Sequence, residues 1–80
     1  MITPEQNDRF FQLTKVLQYA SVKTALLSVG EKILINQERA FLLNQRNPPE
    51  LQTIREYKVP ESIEKKIQII VKLIKQSEWN

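Results

Sequence analysis

Apolar residues near the end of the chain recur at the spacing of a helix that packs on one side. Ile63, Ile67, Ile70 and Ile74 are separated by four, three and four residues, so they fall on one face of an α-helix. Glu61 and Glu64 occur early in this segment, and Lys72 and Lys75 occur late, which matches the charges at the two ends of the helix dipole. The pattern predicts a helix over residues 60–78.

The first thirty residues also follow a helical period, but their apolar face changes direction part-way along. Thr3 suits a helix cap and Pro4 suits the first helical position. One apolar face follows, made of Phe10, Leu13, Val16, Leu17 and Ala20. A face on a different side then comprises Val22, Ala25, Leu26 and Val29. We therefore predict a helix over residues 4–29 that is either continuous and buried on two sides or bent near Ser21.

The single glycine, Gly30, separates this segment from the next one. Glycine readily adopts the left-handed conformation just past a helix end, so Gly30 is predicted to terminate the first helix. A second helix is predicted over residues 31–46, and we expect it to be the most buried because apolar residues lie on several of its faces. These residues are Ile33, Leu34, Ala40 and Phe41 on one face and Ile35, Leu42 and Leu43 elsewhere. A β-hairpin around Gly30 is the alternative, although neither flank alternates apolar and polar residues.

Prolines divide the remainder of the chain. Asn47, followed by two prolines, ends the second helix and caps a short further helix that we predict over residues 48–57. Pro60 then separates that helix from the C-terminal one. The sequence predicts an all-α single domain over residues 1–80, built as a small bundle of three to four helices.

The composition removes several kinds of chemistry. The 80 residues contain no cysteine and no histidine, so thiol chemistry, the commonest metal ligand and the commonest general base are missing. Glu31 and Glu38 lie seven residues apart and face the same way on a helix, which we interpret as a solvated face. One glycine leaves no phosphate-binding loop of the usual kinds. We expect no enzyme activity and no catalytic, cofactor-binding or metal-binding residues.

The formal net charge of +3 is mild. No apolar run approaches the roughly 20 residues that a bilayer-spanning helix needs, and the first residues lack the features of a signal peptide. We therefore predict a soluble, cytoplasmic protein without integral membrane association.

Basic residues make nucleic-acid binding the main alternative to protein binding. The candidate contacts to phosphate or to an acidic partner are Lys65, Lys72, Lys75 and Arg46. Lysines on the outer face of an amphipathic helix usually serve solubility, however, and aromatic residues for base stacking are not interleaved with them. A helix-turn-helix around Gly30 would need small and apolar residues where Leu26 and Asn36 stand, so an ordinary helix connection is predicted there.

Excess apolar surface favours binding to another protein. Ile69 and Leu73 lie off the isoleucine seam, and whether they are core or interface stays open; with Val22 and Leu26 they are the candidate interface. A continuous helix over residues 4–29 would be about 39 Å long, so its two apolar faces would need cover from outside the monomer. We predict a homodimer that acts as a protein-interaction module, such as an adaptor, assembly factor or small regulator. The alternative is a nucleic-acid-binding or antitoxin-like regulator that uses the basic face of the C-terminal helix.

Overall fold

The computed structural model describes residues 2–47 and 56–77. The described part of the chain is all-helical and contains three helices: α1 (Pro4–Val22), α2 (Val29–Arg46) and α3 (Glu61–Ser77). This confirms the all-α prediction, and α3 matches the predicted C-terminal helix to within one residue at each end. The helix predicted over residues 48–57 lies mostly outside the described residues. Glu56 and Tyr57 are described and are not helical.

Helix α1 begins at the predicted cap. The Thr3 hydroxyl accepts a hydrogen bond from the backbone N–H of Gln6, and the Gln6 side chain accepts one from the backbone N–H of Thr3, each at 3.1 Å. This reciprocal pair satisfies two backbone donors that a helix start leaves unpaired.

A continuous helix over residues 4–29 is wrong, because α1 ends at Val22 and α2 begins at Val29. The backbone N–H of Leu26 donates to the carbonyl of Lys23 in the connection between them. Ser28 caps α2 through the same reciprocal arrangement with Glu31, at 2.8 and 3.2 Å. Because α1 ends at Val22, no 39 Å helix over residues 4–29 exists that would need a second subunit to cover it.

Gly30 does not terminate a helix, contrary to the prediction, because it lies in the first turn of α2. The cap is Ser28, so α2 begins two residues earlier than the predicted start. An added Cβ at Gly30 would meet only the Ser28 hydroxyl, at 4.0 Å. Neither helix ending nor close packing requires a glycine at this position.

One hydrophobic cluster joins the three helices, and α1 packs against both α2 and α3. The buried residues are Phe10, Leu13, Val16, Tyr19, Ala20, Leu27, Ile35, Phe41, Leu42, Val59, Ile63, Ile67, Ile70 and Ile74. The expectation that the second helix is the most buried is wrong. Helix α1 lies in contact with both neighbours, whereas α2 leaves Val29 and Ile33 exposed.

Candidate functional site

Arg9 of α1 forms ion pairs with a glutamate on each of the other two helices. Its Nε–H donates to Glu38 of α2 at 2.7 Å, and both of its terminal nitrogens donate to Glu64 of α3. Gln12 accepts a further hydrogen bond from Arg9 at 2.8 Å. The planar guanidinium suits this task because its donors diverge in a fixed fork that can engage two carboxylates at once.

Glu38 is the buried charge of this network, with a relative exposure of 3%. One of its carboxylate oxygens also accepts a hydrogen bond from the backbone N–H of Val59 at 3.0 Å. The interpretation of Glu38 as part of a solvated face is therefore wrong. A cation and a backbone donor there replace hydrogen bonds that the side chain loses to water on burial.

The geometry of the network lowers the pKa of Glu64. Burial alone would raise this pKa, but hydrogen bonds from Arg9 and Gln68 and the charge of Arg9 outweigh that effect. The pKa of Arg9 is raised, because its hydrogen bonds and charge interactions with Glu38 and Glu64 outweigh the opposing effect of burial. Both shifts favour the charged forms of Arg9 and Glu64, so their ion pair is suited to joining α1 and α3.

Glu31 belongs to a second, more exposed pair between α2 and α3. Besides capping α2, its carboxylate accepts a hydrogen bond from the ammonium group of Lys66. The hydrogen bond from Lys66 and those at the Ser28 cap lower the pKa of Glu31. Glu31 and Glu38 therefore both lie on the side of α2 that faces the other helices.

Two arginines of α2 lie over aromatic rings of α1. The guanidinium carbons of Arg39 and Arg46 are 4.9 and 5.8 Å from the centroid of the Phe10 ring, and Arg46 is 5.3 Å from that of Phe11. Arg39 also donates to the hydroxyl of Thr14 at 2.8 Å. Neither arginine forms an ion pair within the described ranges 2–47 and 56–77. This side of the molecule therefore carries positive charge next to Phe11, whose side chain is 46% exposed.

The predicted basic contacts do not form one patch. Lys65 and Lys72 are exposed on α3, opposite its buried isoleucines. Lys75 lines a shallow groove between α1 and α3 together with Phe11. Arg46 contacts Phe11 from α2. Of the four candidates, only Lys75 and Arg46 therefore have a residue, Phe11, in common.

The four predicted interface residues divide into two exposed and two partly buried side chains. Ile69 and Val22 are 58% and 62% exposed. Leu73 and Leu26 are partly buried and pack against the hydrophobic core. Ile69 and Val22 are thus available to a partner, whereas Leu73 and Leu26 contribute to the fold.

A further apolar surface, which the sequence interpretation missed, lies on the outer face of α2. We define this outer face as Val29, Ile33, Asn36, Ala40 and Leu43, which follow one another at spacings of four, three, four and three residues. Val29 and Ile33 are 74% and 54% exposed, whereas Leu43 is 37% exposed and Ala40 is partly buried. The repeating spacing was the available signal, but the sequence interpretation groups Ile33 and Ala40 with Leu34 and Phe41, which face inward.

No three histidine, cysteine, aspartate or glutamate side chains come together as a metal site in the part of the chain that the structure describes. None of the described helices combines the length and apolar character needed to cross a membrane. The chain matches no protein-family model, no curated protein and no solved structure.

Proposed function

We propose that this chain is a small helical protein-interaction module, an adaptor, assembly factor or small regulator that acts by binding another protein. One observation carries this proposal: well-formed helices expose large apolar side chains on two separate surfaces. Ile33 on α2 and Ile69 on α3 are each more than half exposed. Burial of a fully exposed side chain of this size contributes about 1.5–3 kcal/mol, so burial of either half-exposed isoleucine in an interface contributes roughly half of that.

The charged groups support binding rather than catalysis. A catalytic acid or base needs a proton position that is available to a substrate. The buried carboxylate Glu38 instead accepts hydrogen bonds from Arg9 and Val59, and Glu64 accepts them from Arg9 and Gln68. These contacts favour a structural role for the network, so the absence of enzyme activity stays our prediction.

Capture of partners by matched variants tests the proposal. The wild-type chain, Ile33→Asp and Ile69→Asp are immobilised and exposed to an extract of native host cells. Ser62→Asp serves as control, because Ser62 is exposed on α3 and its substitution introduces the same charge. We expect a protein that wild type and Ser62→Asp retain and that at least one isoleucine variant loses. Identical retention by all four proteins would contradict the proposal.

Nucleic-acid binding is the second candidate function, and the arginines over Phe10 favour it. Arg39 and Arg46 have no carboxylate partner among the described residues, and guanidinium groups bind phosphates well. We expect binding of mixed-sequence nucleic acid at about 50 mM salt that weakens steeply as salt is raised. The absence of binding under that condition would contradict this candidate.

A pair of double variants distinguishes the two basic surfaces. Arg39→Gln with Arg46→Gln should reduce the affinity and the salt dependence if the arginines bind phosphate, by about one unit of slope for each phosphate that is no longer neutralised. Lys65→Gln with Lys72→Gln removes the same charge from α3 and should change both quantities less. The opposite ranking would assign nucleic-acid binding to the basic face of α3.

A further inference from the structure

We infer that the outer face of α2 binds the same face of a second copy of this chain, with the two α2 helices parallel. This inference rests on the proposed function and deepens it by naming the partner and the surface. The residues of this outer face form a stripe along α2. The stripe has the spacing of the core positions of a coiled coil, in which apolar residues recur every 3.5 residues on average. A surface with that period is matched best by another helix with the same period.

The opposite side of α2 shows why this stripe is left uncovered. Leu34, Ile35, Glu38, Phe41 and Leu42 face the other helices of the same chain, either buried or packed against the hydrophobic core. A single helix therefore presents one side to its own chain and a second apolar side outward. Within residues 2–47 and 56–77, no segment of the chain buries Val29 or Ile33 on that second side.

Asn36 at the middle of the stripe favours a second copy as the partner. An amide side chain both donates and accepts hydrogen bonds, so two copies of Asn36 that face each other can satisfy one another. An apolar partner surface would leave this amide unpaired, which costs free energy. One polar residue in an otherwise apolar seam also fixes the register of the two helices.

The charges beside the stripe favour the parallel arrangement. One flank of the stripe is a row of cations, Lys32, Arg39 and Arg46, and the other flank is Gly30, Gln37 and Asn44. In a parallel pair, Lys32 lies beside the partner's Gln37, whose amide oxygen accepts hydrogen bonds, while Arg39 keeps its contacts with Thr14 and Phe10 of its own chain. An antiparallel pair would place the row of cations against itself.

The size of the face sets the expected strength of the dimer. Helix α2 contains 18 residues, which span about 27 Å. A stripe of that length and one helix wide falls below the roughly 800 Å² that each partner buries in a standard stable interface. We therefore expect a reversible dimer that dissociates on dilution.

Sedimentation equilibrium between about 5 and 500 µM tests this inference. We expect the wild-type chain to change from monomer to dimer over that range and Ile33→Asp to remain monomeric. Ser62→Asp is the matched control, because Ser62 is exposed on a different helix and its substitution introduces the same charge, and it should dimerise like the wild type. Asn36→Lys is a second disrupting variant, since it places two like charges at the centre of the seam. A helical circular dichroism spectrum confirms that each variant is folded.

A single cysteine tests the orientation, because the natural chain contains none. In a parallel pair, Val29→Cys brings two thiols within reach of a disulfide, and oxidation should cross-link the dimer. An antiparallel pair separates them by at least about 15 Å along the helices, and no cross-link should form.

Three results would each overturn the inference: a wild-type monomer at 500 µM, a dimer that survives both Ile33→Asp and Asn36→Lys, or a dimer that Val29→Cys does not cross-link. Failure of the dimer would leave the proposed function to be tested separately, by the capture of partners from the native host.

Discussion

Helices α2 and α3 are nearly equal in length, yet their sequences predict their burial with very different success. In α3 the buried residues are Ile63, Ile67, Ile70 and Ile74, and these are the four that the spacing selects. In α2 the buried residues are Ile35, Glu38, Phe41 and Leu42. The sequence pattern places the charged member of this set on the surface, and it places Ile33, which is exposed, inside.

The difference between the two helices lies in how clearly apolar and polar residues separate around the axis. Most lysines of α3 lie away from the seam formed by its four buried isoleucines, and only Ile69 and Leu73 add a smaller apolar surface beside that seam, so the pattern identifies the main buried face. Helix α2 carries apolar residues on two faces, and local pattern alone cannot rank them. Phe41 and two leucines enlarge the inner face, while Asn36 interrupts the outer one. Burying the inner face also buries Glu38, and Arg9 of a different helix makes this tolerable.

Removing Arg9 should cause the largest loss of stability, because Arg9 is what allows α2 to bury Glu38. Arg9→Met leaves Glu38 buried without its cation, and loss of one partner of a buried pair typically costs about 3–5 kcal/mol. A chain of this size has a free energy of unfolding of only about 4–12 kcal/mol. We expect urea denaturation to show an unstable or unfolded protein.

Lys15→Met is the matched control for that experiment. Lys15 is exposed on the same helix, and its substitution removes the same charge. We expect its free energy of unfolding to change by less than about 0.5 kcal/mol. If both variants were equally stable, the ion network would not be what allows α2 to bury Glu38.

Truncation of one isoleucine on each helix tests the assignment of the faces. Ile67 of α3 is fully buried, so Ile67→Ala should lower the free energy of unfolding by about 2–5 kcal/mol. Ile33→Ala on α2 removes the same atoms from an exposed site and should change it by less than about 0.5 kcal/mol. Both values are measured by urea denaturation at low micromolar concentration, where the inferred dimer is dissociated. A large cost at Ile33 under these conditions would assign it to the core.

Much of the fold follows from local signals in the sequence. The Thr3 cap, the seam of α3 and the end of α2 near Asn47 are all predictable, because neighbouring residues determine them. The start of α2 is also available locally, since Ser28 and Glu31 have the spacing of a capping box. The incorrect single helix over residues 4–29 results from treating Gly30, and not the capping box of Ser28 and Glu31, as the boundary between the first two helices.

The ion network is not predictable in the same way. Glu38 lies 29 residues after Arg9 in the sequence, and Glu64 lies 55 residues after it. No local spacing indicates that these three side chains meet, because their proximity results from the packing of α2 and α3 on α1. The same long-range packing decides that Glu38 is buried and that the outer face of α2 is not.

Acid should weaken the ionic contacts of α3 with the other helices. The folded protein holds the pKa values of Glu64 and Glu31 below their ordinary value near 4.5. Their contribution to stability is therefore complete above that ordinary value and is lost as the pH falls through the lowered folded pKa. We expect the urea concentration at the midpoint of unfolding to decrease as the pH is lowered from about 5 to about 2. This decrease should be smaller in Glu64→Gln than in the wild type, and smallest in the double variant Glu31→Gln, Glu64→Gln. A double variant that loses as much stability in acid as the wild type would contradict this account.

Replacing Gly30 tests the start of α2 with the smallest expected effect. A glycine that ended a helix in the left-handed conformation would make Gly30→Ala destabilising. Gly30 lies in the first turn of a helix, where an added Cβ would make only an ordinary contact with the Ser28 hydroxyl at 4.0 Å. The same substitution should therefore raise the free energy of unfolding by about 0.5 kcal/mol, because alanine loses less conformational entropy on folding. Ser28→Ala should act in the opposite direction by about 1 kcal/mol, since it removes the cap. Stabilisation by the first change together with destabilisation by the second would place the start of α2 at Ser28, whereas loss of stability in Gly30→Ala would restore Gly30 as the end of the preceding helix.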